Sequence, residues 1–394
     1  MPEVTIEKLV YGGDGLARAD GQVVLAPYVL PGERVSVQTA RVKNGLLRGS
    51  APEILAPSAE RVTPRCEYFG TCGGCQYQHA AYEYQLSQKT AILRETLQRL
   101  GGIEYGDEIP VISAEPWFYR NRIQLHFARG QSGFRKASSH DLCAIDHCYI
   151  SAPVLVEAIA RIAEAVKRPE WPNFLRSLEL FTNGTDLQLN VLESDRPVAA
   201  RFFSWCAGFL PGLASGAIEY EAAAHRFRIS GGSFFQVNRF LIDPLVEEAV
   251  RDAQGEFAVD LYAGVGLFSL PLASRFKRVE GIERGNSAVR DLEFNARERE
   301  NIRAVRSSAE SYLTTQDTAP DLLIADPPRA GLGAKATEAI LRLRPKQVTI
   351  VSCDPATLAR DAHSLVSAYR IRRVALIDLF PQTYHFETVM HFER

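Results

Sequence analysis

The sequence predicts a multidomain α/β protein with a small N-terminal β-barrel, a central α+β segment and a doubly wound C-terminal domain. Three observations carry this reading. Short β-branched runs broken by glycine and proline turns fill residues 1 to about 56. From about residue 234 onward, strand, glycine-rich turn and helix alternate, the pattern of a mostly parallel sheet. Between them lie strands mixed with helices and three closely spaced cysteines. A chain of 394 residues has room for two or three domains.

In the first segment, Val4-Thr5-Ile6, Gln22-Val23-Val24-Leu25 and Arg34-Val35-Ser36-Val37 read as strands, with Gly12-Gly13-Asp14-Gly15 and Pro31-Gly32 as turns. Their spacing fits a five-stranded barrel of the OB type. Residues 57–80 hold the cysteines and little regular structure. Leu86, Ile92, Leu93, Leu97 and Leu100 have helical spacing, closed by Gly101-Gly102. Residues 110–232 mix strands (123–127 and 186–191) with a helix near 152–167. Further strands are expected at Ala258–Tyr262, Arg278–Glu283, Asp321–Asp326, Gln347–Cys353 and Arg373–Leu379. Ligands in such sheets bind beyond the carboxyl ends of the strands.

Composition narrows the class. At 46% hydrophobic and 23% charged the chain is an ordinary globular protein, neither collagen-like nor low-complexity. No run of 18 apolar residues exists, which excludes a membrane-spanning helix. Met1-Pro2-Glu3 opens no basic-then-apolar leader, so a reducing cytoplasm is expected. Lys+Arg 45 against Asp+Glu 47 leaves a charge of −2, so any face for nucleic acid must be local. The stretch 117–137 offers one: Trp117, Phe118, Tyr119, Arg120, Arg122, His126, Phe127, Arg129, Phe134, Arg135 and Lys136, without an acid. A strand with a solvated basic face is the equal alternative.

Five constellations carry chemistry. Asp260-Leu-Tyr-Ala-Gly264-Val-Gly266 lets a ligand approach the backbone where strand meets helix. No third glycine occurs at 267–270, so this is not the dinucleotide fingerprint. Glu283 ends the next strand, placed for ribose hydroxyls, and the arrangement favours S-adenosylmethionine over NAD. Asp326-Pro327-Pro328-Arg329 makes a rigid polar corner at a strand end. In Ser352-Cys353-Asp354-Pro355, Asp354 reads as an N-cap and Pro355 as the first helical residue. A thiol there is expected to be stabilised as thiolate. Cys66, Cys72 and Cys75, with Cys148 further on, could hold a 4Fe–4S cluster or a zinc ion. His385–Met390 alternates as a strand, with Glu387 either a buried base or a surface charge.

Together with Phe234-Phe235-Gln236-Val237-Asn238 and Phe386-Glu387-Thr388-Val389, these motifs resemble the RNA uracil-5 methyltransferases that use S-adenosylmethionine. The resemblance spans nearly the whole chain and is strongest to the iron–sulfur branch that methylates 23S ribosomal RNA. It implies an N-terminal TRAM barrel (1–56) and a central iron–sulfur domain (57–80 and 110–232). It also implies a Rossmann-like methyltransferase domain (81–109 and 233–394), on which the helix near 82–100 packs. By resemblance Gln236, Tyr262, Glu283 and Asp326, with the loop glycines Gly264 and Gly266, bind the cofactor. Cys353 is then the nucleophile and Glu387 the base, while Cys66, Cys72, Cys75 and Cys148 hold a 4Fe–4S cluster. Leu267 departs from the small or polar residue the family often has there. RNA is the expected partner, and a monomer the expected state. A transfer-RNA methylase would use the same site. A radical enzyme would need a cluster with an open iron, and a non-catalytic TRAM-type RNA-binding protein would need neither Cys353 nor Glu387.

Overall fold

The computed structural model describes residues 2–41 and 46–394. The first strands are β1 (Glu3–Thr5), β2 (Lys8–Leu9), β3 (Asp14–Ala19), β4 (Gln22–Pro27), β5 (Arg34–Arg41) and β6 (Leu47–Ala56). They form one sheet in the order β1-β5-β6-β4-β3-β2. The two strands at the ends of this order are separated in the chain only by Ile6 and Glu7, so one short segment closes the sheet on itself. The expected five strands thus become six because the first is interrupted. At the break Ile6 N donates to Glu33 O (2.9 Å) and Glu7 N to Leu16 O (2.8 Å). Ile6, Ala17, Val24, Ala26, Val35 and Val37 fill the barrel.

Residues 57–80 contain only isolated bridges, such as Arg61 with Ala80. Burial would raise the carboxyl of Glu33, but Arg61 and the amides of Leu30 and Ser58 hold it below the ordinary range. That ion pair ties the loop to the barrel floor. Helix α1 (Tyr82–Gly101) follows and ends on Gly102 in the left-handed region, whose N–H returns to Gln98 O. Its Ile92, Leu93 and Leu97 enter the core of the C-terminal sheet together with Leu358 and Ala362. On the same helix Lys89, fully buried, pairs with Asp378 Oδ1 at 2.5 Å.

Strand β7 (Val111–Ile112) precedes the central sheet, which comprises β8 (Arg122–Ala128), β9 (Gln131–Arg135), β10 (Leu142–Ala144), β11 (Leu175–Thr182) and β12 (Leu187–Ser194). Its order is β10-β9-β8-β11-β12, antiparallel throughout. Helices α2 (Pro153–Ala165) and α3 (Ala200–Ala207) supply Ile159, Ile162 and Phe202 to its core. A hairpin, β13 (Ile218–Ala222) and β14 (His225–Ile229), comes next.

The C-terminal domain then runs α4 (Ile242–Ala249), β15 (Gly255–Leu261), α5 (Ser269–Leu272), β16 (Phe276–Glu283), α6 (Asn286–Ala296), β17 (Ile302–Arg306), α7 (Ala309–Thr315), β18 (Leu322–Ala325), α8 (Gly333–Leu343), β19 (Gln347–Ser352), α9 (Pro355–Leu365), β20 (Arg370–Ile377) and β21 (Glu387–Glu393). The eight-stranded sheet has the order β17-β16-β15-β18-β19-β21-β20-β7. The strands from β17 to β19 are parallel, and β21 is slotted antiparallel between β19 and β20. Strand order reverses between β15 and β18, which opens the crevice where ligands bind in such sheets.

Three local expectations change. Val111–Ile112, read with the central segment, pairs with β20 at the edge of the large sheet. The hairpin at 218–229 packs Phe227 and Ile229 against Val265 and Leu270, so the core of the C-terminal sheet begins before residue 233. The alternation read at 385–390 does not hold either. Residues 387–392 are all buried, because β21 is paired on both edges and covered on both faces.

Candidate active site

The loop after β15 is built from unusual backbone. Tyr262, Gly264 and Gly266 all have positive φ, at 61°, 56° and 98°. At φ 98° any side chain on Gly266 would be strained, and its Cβ would stand 2.7 Å from the end of Leu292. A Cβ on Gly264 would meet nothing within 4 Å, so the loop faces open space at that point. Glu283, at the end of β16, accepts from Gly264 N at 3.0 Å and from Gly285 N at 2.5 Å. These bonds orient its carboxylate toward the loop and leave each oxygen a further lone pair. Leu267 is buried and joins the core.

Beneath the loop Asp260 is buried, accepts from Ser269 Oγ at 2.6 Å and has an unpartnered Oδ1. Burial, with Asp326 and Glu283 nearby, pushes its carboxyl up to about 7. Asp326 leaves β18 into the Pro327-Pro328 corner and accepts from Gln236 Nε2 at 3.1 Å. Burial brings it also to about 7. Gln236 is held in turn, because its backbone carbonyl accepts from Asn121 Nδ2 at 3.0 Å and Phe235 packs on Phe181, Tyr220 and Phe227. An orphaned carboxylate oxygen and an open glycine corner fit a small polar ligand lying across Gln236, Tyr262, Glu283 and Asp326.

Cys353 follows β19. Asp354 caps α9 by accepting from Ala356 N (2.9 Å) and Thr357 N (3.0 Å), with Pro355 opening the helix. Ser352 pairs with Thr388 on β21, so Cys353 and Glu387 come next in that register. The thiol is not the expected thiolate. Burial, then the carboxylates of Glu387 and Asp326, push it up to about 12. One helix end cannot offset desolvation and two like charges. Glu387 is buried with Oε1 unpartnered, and burial together with Asp326 raises its carboxyl well above the usual range.

The cysteines behave differently from one another. Cys66, Cys72, Cys75 and Cys148 line one cavity of about 610 Å³, which reaches Arg329 and His385 beside the Cys353 loop. Cys143 packs instead in the central core, as does Cys206. Among the described residues no three His, Cys, Asp or Glu side chains are grouped as a metal site.

The basic stretch 117–137 is only partly a surface. Tyr119 is buried, and its hydroxyl donates to Pro381 O at 3.0 Å. Arg122 is buried against Glu179 at 2.6 Å and over the Phe181 ring, and Phe127 is core. Arg120, Arg135 and Lys136 remain on the cavity wall, which includes no carboxylate among its lining residues.

Two contributors escaped the sequence reading. His385 stands 3.4 Å from Arg329 Nη2. Tyr11, in the barrel turn between β2 and β3, donates its hydroxyl to Cys353 O at 2.8 Å. Nothing local marks Tyr11, since its partner lies 342 residues away.

The chain matches the family model tRNA (Uracil-5-)-methyltransferase over residues 217–394 and the TRAM domain over 2–51. It is 34% identical to the 23S rRNA (uracil(1939)-C(5))-methyltransferase of Cronobacter sakazakii, covering 99% of this chain and 96% of that protein. It is also 34% identical to an uncharacterized RNA methyltransferase of Streptomyces avermitilis, over 99% and 98% of the two chains. The crystal structure of Pyrococcus abyssi tRNA (uracil-54, C5)-methyltransferase with S-adenosyl-L-homocysteine superposes with a TM-score of 0.80 at 26% identity, covering 99% of this chain and 100% of that one. The chain belongs to the RNA uracil-5 methyltransferase family. Among the described residues, no helix is long and apolar enough to cross a membrane.

Proposed function

We propose that this protein methylates C5 of a uridine in 23S ribosomal RNA, with Cys353 as nucleophile and Glu387 as base. The observation that carries the reading is the meeting of Cys353, Glu387 and Asp326 at the ends of β18, β19 and β21. S-adenosylmethionine, held by Gln236, Tyr262, Gly264, Gly266, Glu283 and Asp326, supplies the electrophilic methyl group. Cys353 Sγ, once deprotonated, adds to C6 of the uracil and makes C5 nucleophilic. C5 then takes the methyl group from the sulfonium, whose S–CH3 bond breaks to leave neutral S-adenosylhomocysteine; Glu387 takes the C5 proton, the C6–S bond breaks and the thiolate is released. The uracil must leave its stack to reach this buried corner. Arg120, Arg135 and Lys136 would meet the surrounding RNA, and the barrel would hold it further out.

Cys66, Cys72, Cys75 and Cys148 would hold a 4Fe–4S cluster. The support is a donor set of four thiols around one cavity, with Cys75 and Cys72 each raised by burial and by the other cysteines. Such a cluster would tie the 57–80 loop to the central sheet and so make 57–80 and 110–232 one domain. The segments 81–109 and 233–394 would form the other, beside the 1–56 barrel. The protein would act as a monomer in the cytoplasm.

Transfer RNA is the second substrate reading, favoured by the full-length match to the Pyrococcus protein. Mass-spectrometric mapping of 5-methyluridine in cells with and without the protein separates the two. Loss at one 23S position supports the proposal, and loss in transfer RNA alone overturns the choice of substrate. Cys353→Ala should abolish methyl transfer in vitro while S-adenosylmethionine still binds by calorimetry. Turnover at the unaltered rate would remove Cys353 from the mechanism.

A further inference from the structure

We infer that Tyr11 of the N-terminal barrel is a positioning residue for methyl transfer, bracing both the nucleophile's backbone and the strand that carries the base. The inference rests on the assignment of Cys353 and Glu387 above. The Cys353 carbonyl lies past the last ladder residue of β19 and before the first turn of α9. The donors of that turn are committed elsewhere: Ala356 N and Thr357 N to Asp354 Oδ1, and Leu358 N to Asp354 O. The Tyr11 hydroxyl donates to this carbonyl at 2.8 Å. Its ring meets Phe386, the residue before Glu387, edge-on at 5.9 Å, and Tyr384 at 5.3 Å.

The barrel turn is seated for this contact. Gly13, at φ 92°, leaves 3.2 Å between where its Cβ would be and Tyr384. Leu9, on the neighbouring strand, is buried in the core of the C-terminal domain. Lys8 also pairs with Glu95 of α1, a contact that docks the barrel without touching the site. Two jobs therefore come from one surface: Leu9 and Lys8 hold the barrel, and Tyr11 reaches the reacting loop. A misplacement of about 1 Å at a reacting group can cost a hundredfold in rate. A hydrogen bond that fixes the Cys353 peptide therefore bears on kcat rather than on binding.

The test uses the full chain. Tyr11→Phe keeps the ring packing and removes only the hydroxyl, and Lys8→Ala weakens docking alone. Tyr11→Phe should lower kcat about tenfold, with KM for RNA and for S-adenosylmethionine within about twofold, and Lys8→Ala should leave kcat unchanged. The rate of covalent adduct formation with 5-fluorouridine RNA should fall in parallel, because it reads the Cys353 addition. Equal kcat and adduct rate in Tyr11→Phe and the unaltered protein would overturn the inference, as would an equal loss in Lys8→Ala. If the unaltered protein forms neither methylated product nor adduct, the assignment of Cys353 fails instead.

Discussion

Cys353 is kept protonated by the groups it must later work beside. Burial and two carboxylates bring its thiol to about 12, so the resting protein protects it from electrophiles. Alkylation by iodoacetamide, followed by peptide mass spectrometry, should accelerate steadily with pH and show no plateau up to about pH 10. A plateau near neutrality would mean that the helix end dominates after all. Glu387 sits at the other side of the same corner with its own carboxyl raised. Glu387→Gln should leave C5 protonated after methylation and trap a methylated protein–RNA adduct, visible on a denaturing gel with labelled RNA. Normal turnover without adduct would move the base elsewhere. The sequence marks Cys353 locally, between a strand and a helix N-terminus, whereas Glu387 opens β21 and is read as a base only through the family resemblance. Tyr11 and His385 carry no such mark, since their role depends on which segments meet, and no periodicity records that.

Among the elements, α1 links the barrel to the C-terminal sheet, through Glu95 on one side and its apolar face on the other. Leu93 and Leu97 are fully buried against the sheet, and each contributes about 1.5–3 kcal/mol of burial. Lys89 reaches Asp378, which also accepts from Tyr82 Oη at 2.8 Å. Lys89→Ala strands a carboxylate away from water and should cost about 3–5 kcal/mol in urea unfolding. A loss under about 1 kcal/mol would show that Asp378 neutralises itself or admits solvent. The helix and the parallel strands were readable because apolar spacing and length suffice for them. Strand β7 was not, since two residues have no period, and its place beside β20 is decided by tertiary pairing. The basic stretch misled for a related reason: a buried arginine and a solvated one look alike until Glu179 is placed.

For the whole molecule, the proposed cluster predicts a clear asymmetry between neighbouring cysteines. Anaerobic purification should give brown protein with about four irons per chain. Cys148→Ser should lose iron and weaken RNA binding, whereas Cys143→Ser, altering a core residue, should keep its iron. Zinc in place of iron, or iron loss from Cys143→Ser alone, would reverse the assignment. The order of the three segments was legible from composition and turn chemistry, but their interlocking was not: the barrel closes through an interrupted strand, and β21 enters between β19 and β20. That insertion has a consequence for how the chain acquires its activity. Strand β20 is synthesised before β21 yet has no neighbour to pair with on that side until β21 arrives. Joining β20 and β21 to the parallel strands therefore completes the sheet through long-range pairings. Because β21 brings Glu387 beside Cys353, a chain that has not yet closed the sheet holds the proposed nucleophile without the proposed base.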